Sequence, residues 1–567
     1  MQRIKNHHSE ILFSFLSISA YLLSLVISHF DPAHTYRWVV FLLHMYSLLF
    51  VGILYLVTNR IRKISDKEIF SCTLIILAAI VVHITYLKYF PFVALGDEVR
   101  DAGLDAMRIV HGNITNLSGF GNYNGYGEII PTLASFFYRV FGQSVFTYRV
   151  PSALVAILDT ILVYILIRKI AKRGVSMLGS LIYTTFPLVM LYARTELVVA
   201  FDSFWTSAIL LSYYVWLQKK NMYRTIFLAT ILGIAMNFHA AAKAVGVVML
   251  CITLLVIFFE KNSGVKKKIV SILAVLVFVL VGFGPMILQT TPKNFLLEKS
   301  IVANSMHAPT FLNSQMKRAE LAKNYSKSLM VWFYEGTTSR YVLHTPLLTP
   351  LLALLFLLGI GYAIFIDKSS FSYTIVALVF ILPFTNSAVT DTLNADHRIS
   401  VLLPVAIICI ALGIKWLHSG LKNKIARLLL LGFILILTLY SSSQFFTGMV
   451  AGRDNGVESY VSMHLIYLLQ GQQSTSANVC VFVSEGSKAT YELLHYKEQY
   501  AYFLPHTHVE FKANPGIENN EAYVFKGSCP QDYSGTDSVL LIKCSSRRSF
   551  HCPYMYKKDI SIYYWKE

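Results

Sequence analysis

At 567 residues the chain is too long for one soluble core, and a make-up of 55% hydrophobic, 14% aromatic and 14% charged residues is not that of a soluble protein. A mean hydropathy of +0.54 and recurring apolar runs describe an α-helical polytopic membrane protein, because about 17 residues or more are needed to cross ~30 Å of hydrocarbon. The net charge of +18 would suit nucleic acid, but many basic residues stand in short loops between apolar runs, as the positive-inside rule requires, so nucleic-acid binding carries little weight.

The first apolar run, "ILFSFLSISAYLLSLVISHF", is long enough to span. It lacks a clear small-residue cleavage site after it, so it reads as a span rather than a cleavable signal. Further candidate spans fall near 38–58, 70–88, 152–167, 175–192, 197–217, 225–240, 244–259, 269–289, 347–366, 372–388, 399–416 and 425–444. The total is about 11–13 transmembrane helices, with 225–240 and 372–388 the short ones. With the N-terminus inside, the cytoplasmic loops are 60–67, 168–173, 219–224, 260–268, 367–370 and 421–424, nearly all short and rich in Lys or Arg. The opposite side then carries the loops 89–151 and 290–346, the short "TDTLNADHR" and the tail from about 445. Long acid-bearing loops on one side are where function is to be sought.

Two units follow: a membrane domain over 1–445 and an extracytoplasmic soluble α/β domain over 446–567. In the tail "NVCVFV", "SVLLIK" and "ISIYYW" read as short strands and "KATYELLHYK" as a helix. It also holds Cys480, Cys529, Cys544 and Cys552, which an oxidising compartment could join in pairings the sequence does not decide. Cys72, Cys251 and Cys409 fall in spans and read as packing residues. Three sequons, at Asn113, Asn116 and Asn324, lie on the outer side and would accept glycans only in a secretory setting.

In the first large loop "DEVRDAGLDAMRIVHGN" has the pattern of an amphipathic helix. Val99, Ala102, Ala106, Ile109 and Val110 recur at spacings of three and four, and Gly112-Asn113 is its stop. Asp97, Asp101 and Asp105 share one polar face, with Asp97 where an N-cap belongs. Alone, these acids read as cap and solvated face. Polar residues placed on the same side change that reading. Arg194, Glu196 and Asp202 stand at the outer end of a span, and Asp202 lies inside an apolar run, where an ionisable group is costly and faces a cavity or partner. His239 and Lys243 are i and i+4 on one helical face; Arg340, Tyr341 and His344 close the second large loop; His397 and Arg398 precede "ISVLLPVAI". Cations outside run against the positive-inside bias. Singly they would snorkel to headgroups, but as a set they fit an anionic ligand such as a phosphate.

The series "GDE", then "YNGYGEIIPTLASFFYRVFGQSVFTYRVPSALVAILDTILVYILIRK", resembles the glycosyltransferase family 39 members of the GT-C superfamily, which includes protein O-mannosyltransferases and lipid A aminoarabinose transferases. "LYARTELVVAFDSFWTSAILLSYY", "GIAMNFHAAAKAVGVVML" and "DHRISVLLPVAIICIALGI" are similar to its later segments, so the resemblance spans roughly 70–420. The chain departs from the family in two spans before the acidic loop and in "YGEIIP" where a His-Pro segment is common. The resemblance implies inverting transfer of a sugar from a polyprenyl-phosphate donor to a lipid, glycan or protein acceptor at the outer face, most simply of a bacterial inner membrane. It implies Asp97 as general base with Glu98 as backup, and Asp202 as a second acid orienting the acceptor or a divalent metal. Lys243 and Arg398, with Arg340 and Tyr341, would hold the donor phosphate, while Arg149 would brace the acidic loop. Arg194, Glu196, His239 and His397 are supporting residues. Asp97 and Asp202 would suit a divalent cation, Mg²⁺ or Mn²⁺, as cofactor, and a base acting without metal fits equally. A transporter or flippase of anionic lipids is the alternative, against which stands the lack of matched halves.

Overall fold

The computed structural model describes residues 65–87, 105–112, 129–195, 199–260, 264–289, 318–334, 346–388 and 393–450, five strands between 478 and 564, and isolated positions elsewhere. Every candidate span from 70 onward coincides with a helix or a broken helix pair. Among the described residues seven helices are long and apolar enough to cross a membrane, or eight if the bent pair Arg173–Thr184 and Pro187–Ala193 counts as one span. That pair bends by 60° where Pro187, at the first turn of the second helix, ends the first one. The Ala200–Gln218 helix is more polar, carrying Asp202, Ser203, Thr206, Ser207 and Ser212, all buried against neighbouring helices. The candidate spans 11–30 and 38–58 lie largely outside the described residues, but Ser17 and Ser47, one from each, donate to one another's carbonyls at 2.9 and 2.8 Å.

Close helix packing rests on glycines rather than on apolar attraction, which lipid tails would match. The Leu402–Gly420 helix is the bundle's centre, buried continuously from Leu402 to Ile414. It meets the Pro350–Tyr362 helix where Gly359 lies on the backbone of Cys409 and Gly413 on that of Leu355, so a Cβ at either glycine would collide. Gly233 and Gly282 do the same for the helices Met222–Ala235 and Val265–Gln289, and Asn237 Nδ2 closes that seam by donating to Gly282 O at 2.7 Å. At the periphery, Leu428, Leu429, Phe433 and Ile436 of the Lys424–Val450 helix are exposed, as lipid-facing residues are.

The basic loops gather at one end. Glu68 accepts from Arg168 Nε at 2.8 Å and from the Tyr164 hydroxyl at 2.6 Å, tying loop 60–67 to loop 168–173. Lys220 pairs with Glu260 at 3.2 Å, tying 219–224 to 260–268, and Asp367 lies 3.9 Å from Lys415.

In the tail, β1 (Asn478–Ser484), β2 (His508–Asn514), β3 (Glu521–Lys526), β4 (Leu540–Cys544) and β5 (Ile560–Tyr564) form one sheet in the order β2-β1-β3-β4-β5. The β1–β2 pair is parallel and the others antiparallel. The three predicted strands are β1, β4 and β5; β2 and β3 were not anticipated, and the helix expected at 488–497 lies outside the described residues.

Candidate functional site

At the end away from the basic loops, three segments bring their N-terminal turns together. Asp202 is in the first turn of the Ala200–Gln218 helix. His239 is the N-cap of the Ala240–Phe258 helix, its backbone extended and its carbonyl accepting from Lys243 N at 3.0 Å. His397 and Arg398 form the short Asp396–Ile399 helix ahead of Leu402–Gly420. The His239 Nδ1–H donates to Asp202 Oδ2 at 2.6 Å, with both side chains buried. The His397 ring lies 5.8 Å from that of His239, centroid to centroid, tilted by 60°. Lys243, buried one turn along, and His397 both lie close enough to Asp202 to feel its charge. Asp202 Oδ1 is buried, and the Ala242 backbone N–H faces the carboxylate. Phe238, next to His239, packs between the rings of Phe201 and Trp205, at 5.6 and 4.9 Å, which fixes the crossing from one helix start to the other.

A separate hydrogen-bonded corner holds His397 and Arg398. Asn394 has φ +54°, a left-handed conformation that Asn tolerates through its short polar side chain. Its Oδ1 accepts from Ser387 Oγ at 2.7 Å, its backbone N–H donates back to Ser387 at 2.8 Å, and Ser328 Oγ donates to the same hydroxyl at 2.8 Å. The helix Arg318–Met330, the π-helical turn Phe384–Ala388 and the turn before Asp396 are thereby locked together. Arg398 N donates to Ala395 O at 2.9 Å, and both His397 and Arg398 are half-buried.

The two buried arginines among the expected supporting residues serve a helix end. Arg194 Nη1 donates to Val82 O at 2.5 Å and Nη2 to Thr85 O, while Arg149 Nη1 donates to Leu87 O at 3.2 Å. They cap the carbonyls at the end of the Asp66–Ile84 helix, the orphan acceptors of any helix C-terminus, on the segment that leads into the acidic loop. Arg149 thus holds the chain at Leu87, the last described residue ahead of that loop.

The acidic segment lies partly outside the described residues. It is described over Asp105–Val110, and Gly112 at φ +80° supplies the expected stop. Asp105 corrects the expectation of a solvated face: it is buried and its Oδ1 accepts from Arg108 Nη1 at 2.9 Å. The i,i+3 arginine is a partner on its own helix. Asp97, Glu98, Asp101, Glu196, Arg340, Tyr341 and His344 lie outside the described residues. Asp159, which the sequence reading passed over, is buried in the Val145–Ile170 helix beside Tyr183. A lone acid in "VAILDTILVY" was its signal. Among the described residues no group of three or more His, Cys, Asp or Glu is placed to hold a metal ion.

Residues 129–288 match the family model described as dolichyl-phosphate-mannose-protein mannosyltransferase. The matched segment includes Arg149, Arg194, Asp202, His239 and Lys243. No curated protein sequence matches the chain. Among solved structures it is similar to ArnT from Cupriavidus metallidurans bound to undecaprenyl phosphate, with 13% identity and a TM-score of 0.48, over 79% of this chain and 86% of that one. It is also similar to the oligosaccharyltransferase AglB from Archaeoglobus fulgidus in complex with an inhibitory peptide and a dolichol-phosphate, with 11% identity and a TM-score of 0.44. That likeness covers 67% of this chain and 55% of AglB, so the chain spans about half the length of that relative.

Proposed function

We propose that the chain is a multi-pass membrane glycosyltransferase that moves a sugar from a polyprenyl-phosphate donor to an acceptor hydroxyl or amine at the extracytoplasmic face, with inversion. The observation that carries this reading is the meeting of Asp202, His239, Lys243 and His397 at one end of the bundle, opposite the basic loops. Buried cations at helix N-termini form an anion site, since unsatisfied N–H groups and the positive end of the helix dipole favour negative charge.

In the reaction the acceptor oxygen or nitrogen attacks the anomeric carbon, the bond from that carbon to the phosphate oxygen breaks, and the lipid phosphate leaves with the electron pair. Asp97 takes the acceptor's proton as general base, with Glu98 beside it. Lys243 and Arg398, with Arg340 and Tyr341 from the second large loop, stabilise the negative charge growing on the leaving phosphate. Asp202 orients the His239 ring and keeps the buried Lys243 partnered when no donor is bound. A divalent ion would draw on Asp202 Oδ1, the carboxylate oxygen that His239 does not hold, together with Asp97. The membrane domain is 1–445 and the tail 446–567 is an extracytoplasmic domain; the setting is a bacterial inner membrane.

Purified protein given a labelled polyprenyl-phosphate sugar and no energy source should release free polyprenyl phosphate and transfer label to an acceptor. Intact donor crossing a vesicle bilayer without release of lipid phosphate would identify a flippase instead.

A further inference from the structure

At the basic end of the bundle, far from the His239 pair, Arg168, Lys220 and Lys415 stand against Glu68, Glu260 and Asp367. Lys172, His418 and Arg427 come from three different elements at that end and have no carboxylate partner among the described residues. Helix packing brings them together. The Arg173–Thr184 helix runs antiparallel to Leu402–Gly420, and a Cβ at Gly179 would stand 3.7 Å from that of Ala411. Lys172 and His418 each lie about two turns from that contact toward the same end, so they share a level and a side. Along the other seam a Cβ at Gly174 would stand 3.4 Å from Cδ1 of Leu431, one turn beyond Arg427 on the Lys424–Val450 helix. His418 accordingly feels the charges of both Arg427 and Lys172. The Arg427 Nε–H donates to Leu421 O at 2.7 Å, which fixes the guanidinium and leaves its Nη groups without a partner among the described residues.

We propose that Lys172, His418 and Arg427 bind the phosphodiester of an anionic diacyl phospholipid in the leaflet at the basic end of the bundle. The donors match that group: an arginine fork with free Nη groups, a lysine point charge and an imidazole N–H. Unneutralised cations held within reach of one another repel, and a shared anion offsets the repulsion. The depth also fits. Arg427 is in the first turn of one candidate span and His418 in the last turn of another, the level at which headgroups lie. Ile425, Leu428 and Leu429, beside Arg427, are exposed and offer apolar surface to the acyl chains. A zwitterionic headgroup would bring its own ammonium against Lys172 and Arg427, so the site selects lipids of net negative charge. The bound lipid would tie the start of Arg173–Thr184 to the central Leu402–Gly420 helix and to the peripheral Lys424–Val450 helix.

The test is thermal unfolding of the purified full chain in maltoside micelles at fixed pH and ionic strength, with added phosphatidylglycerol, phosphatidylcholine or inorganic phosphate. Phosphatidylglycerol should raise the midpoint saturably by about 3 °C or more, the size that ligand linkage gives well above the dissociation constant, and the other two should not. Lys172→Glu, at an exposed position, should remove most of that rise, and so should Arg427→Gln. Lys267→Glu makes the same change of charge on an exposed lysine of another basic loop and should leave the rise intact. No rise, or an equal rise with phosphatidylcholine, would overturn the proposal. Equal losses in Lys172→Glu and Lys267→Glu would overturn it by showing a diffuse basic surface, and a rise reproduced by inorganic phosphate would overturn it in favour of a free anion. Where Arg427→Gln yields no folded protein, because Nε also holds Leu421 O, Lys172→Glu decides: a rise unchanged from the parent overturns the proposal.

Discussion

Alanine at Asp202 or His239 breaks a buried pair whose atoms are 2.6 Å apart and whose side chains are 0% and 5% exposed. Removing one member of such a pair leaves the other desolvated without a partner, at a cost of about 3–5 kcal/mol. The two substitutions are not equivalent. Lys243 and His397 also lie close enough to Asp202 to feel its charge, so Asp202→Ala removes compensation from more cations than His239→Ala does and should be the more damaging. The double variant should cost little more than Asp202→Ala alone, since His239 has then already lost its partner, for a coupling of about 2–3 kcal/mol. The assay is a double-mutant cycle of unfolding free energies in mixed detergent micelles, with transfer activity followed on the same four proteins. Additive losses, within about 0.5 kcal/mol, would refute the pairing. A larger loss for His239→Ala would refute the view that the carboxylate anchors the cations.

Asp97→Asn should lower transfer by about 10²–10⁴-fold, the usual contribution of a general base, with yield and melting unchanged; activity within tenfold of the parent removes Asp97 from that role. Lys243→Ala should raise the apparent KM for the lipid donor far more than that for the acceptor, and equal shifts would argue against a phosphate contact. Gly359→Ala should destabilise by about 2 kcal/mol or more, because its Cβ would meet the Cys409 backbone, in the range of overpacked cores. Gly361→Ala, with nothing within 4 Å, should instead gain up to about 1 kcal/mol from helix propensity; melting curves that do not separate the two glycines would undo the packing argument.

Hydropathy and loop charge made the bundle legible because both are local. An apolar run of spanning length has few other uses, and the pairs Glu68–Arg168 and Lys220–Glu260 join loops that the charge rule had already put on one side. Burial was less legible. A helical wheel places Asp105 with Asp97 and Asp101 on one face, but it does not say that Asp105 is buried or that Arg108 pairs with it. Arg194 read as a supporting residue of the site, but its hydrogen bonds to backbone carbonyls more than a hundred residues away are ones no local pattern encodes. The strands β2 and β3 escaped for a different reason. "HVEFKAN" alternates correctly, but its charged residues make it read as loop until β1 is alongside to pair with it. The His239–Asp202 contact was only half visible, since helix spacing joins His239 to Lys243 and tertiary packing alone adds Asp202.

The most direct measurement is an experimental structure of the full chain with polyprenyl phosphate bound. The proposed site requires the phosphate to sit against the Lys243 ammonium and the Arg398 guanidinium, with Asp97 facing the position of the anomeric carbon. A phosphate bound at the end of the basic loops, or one that leaves Lys243 paired with Asp202 alone, would contradict it.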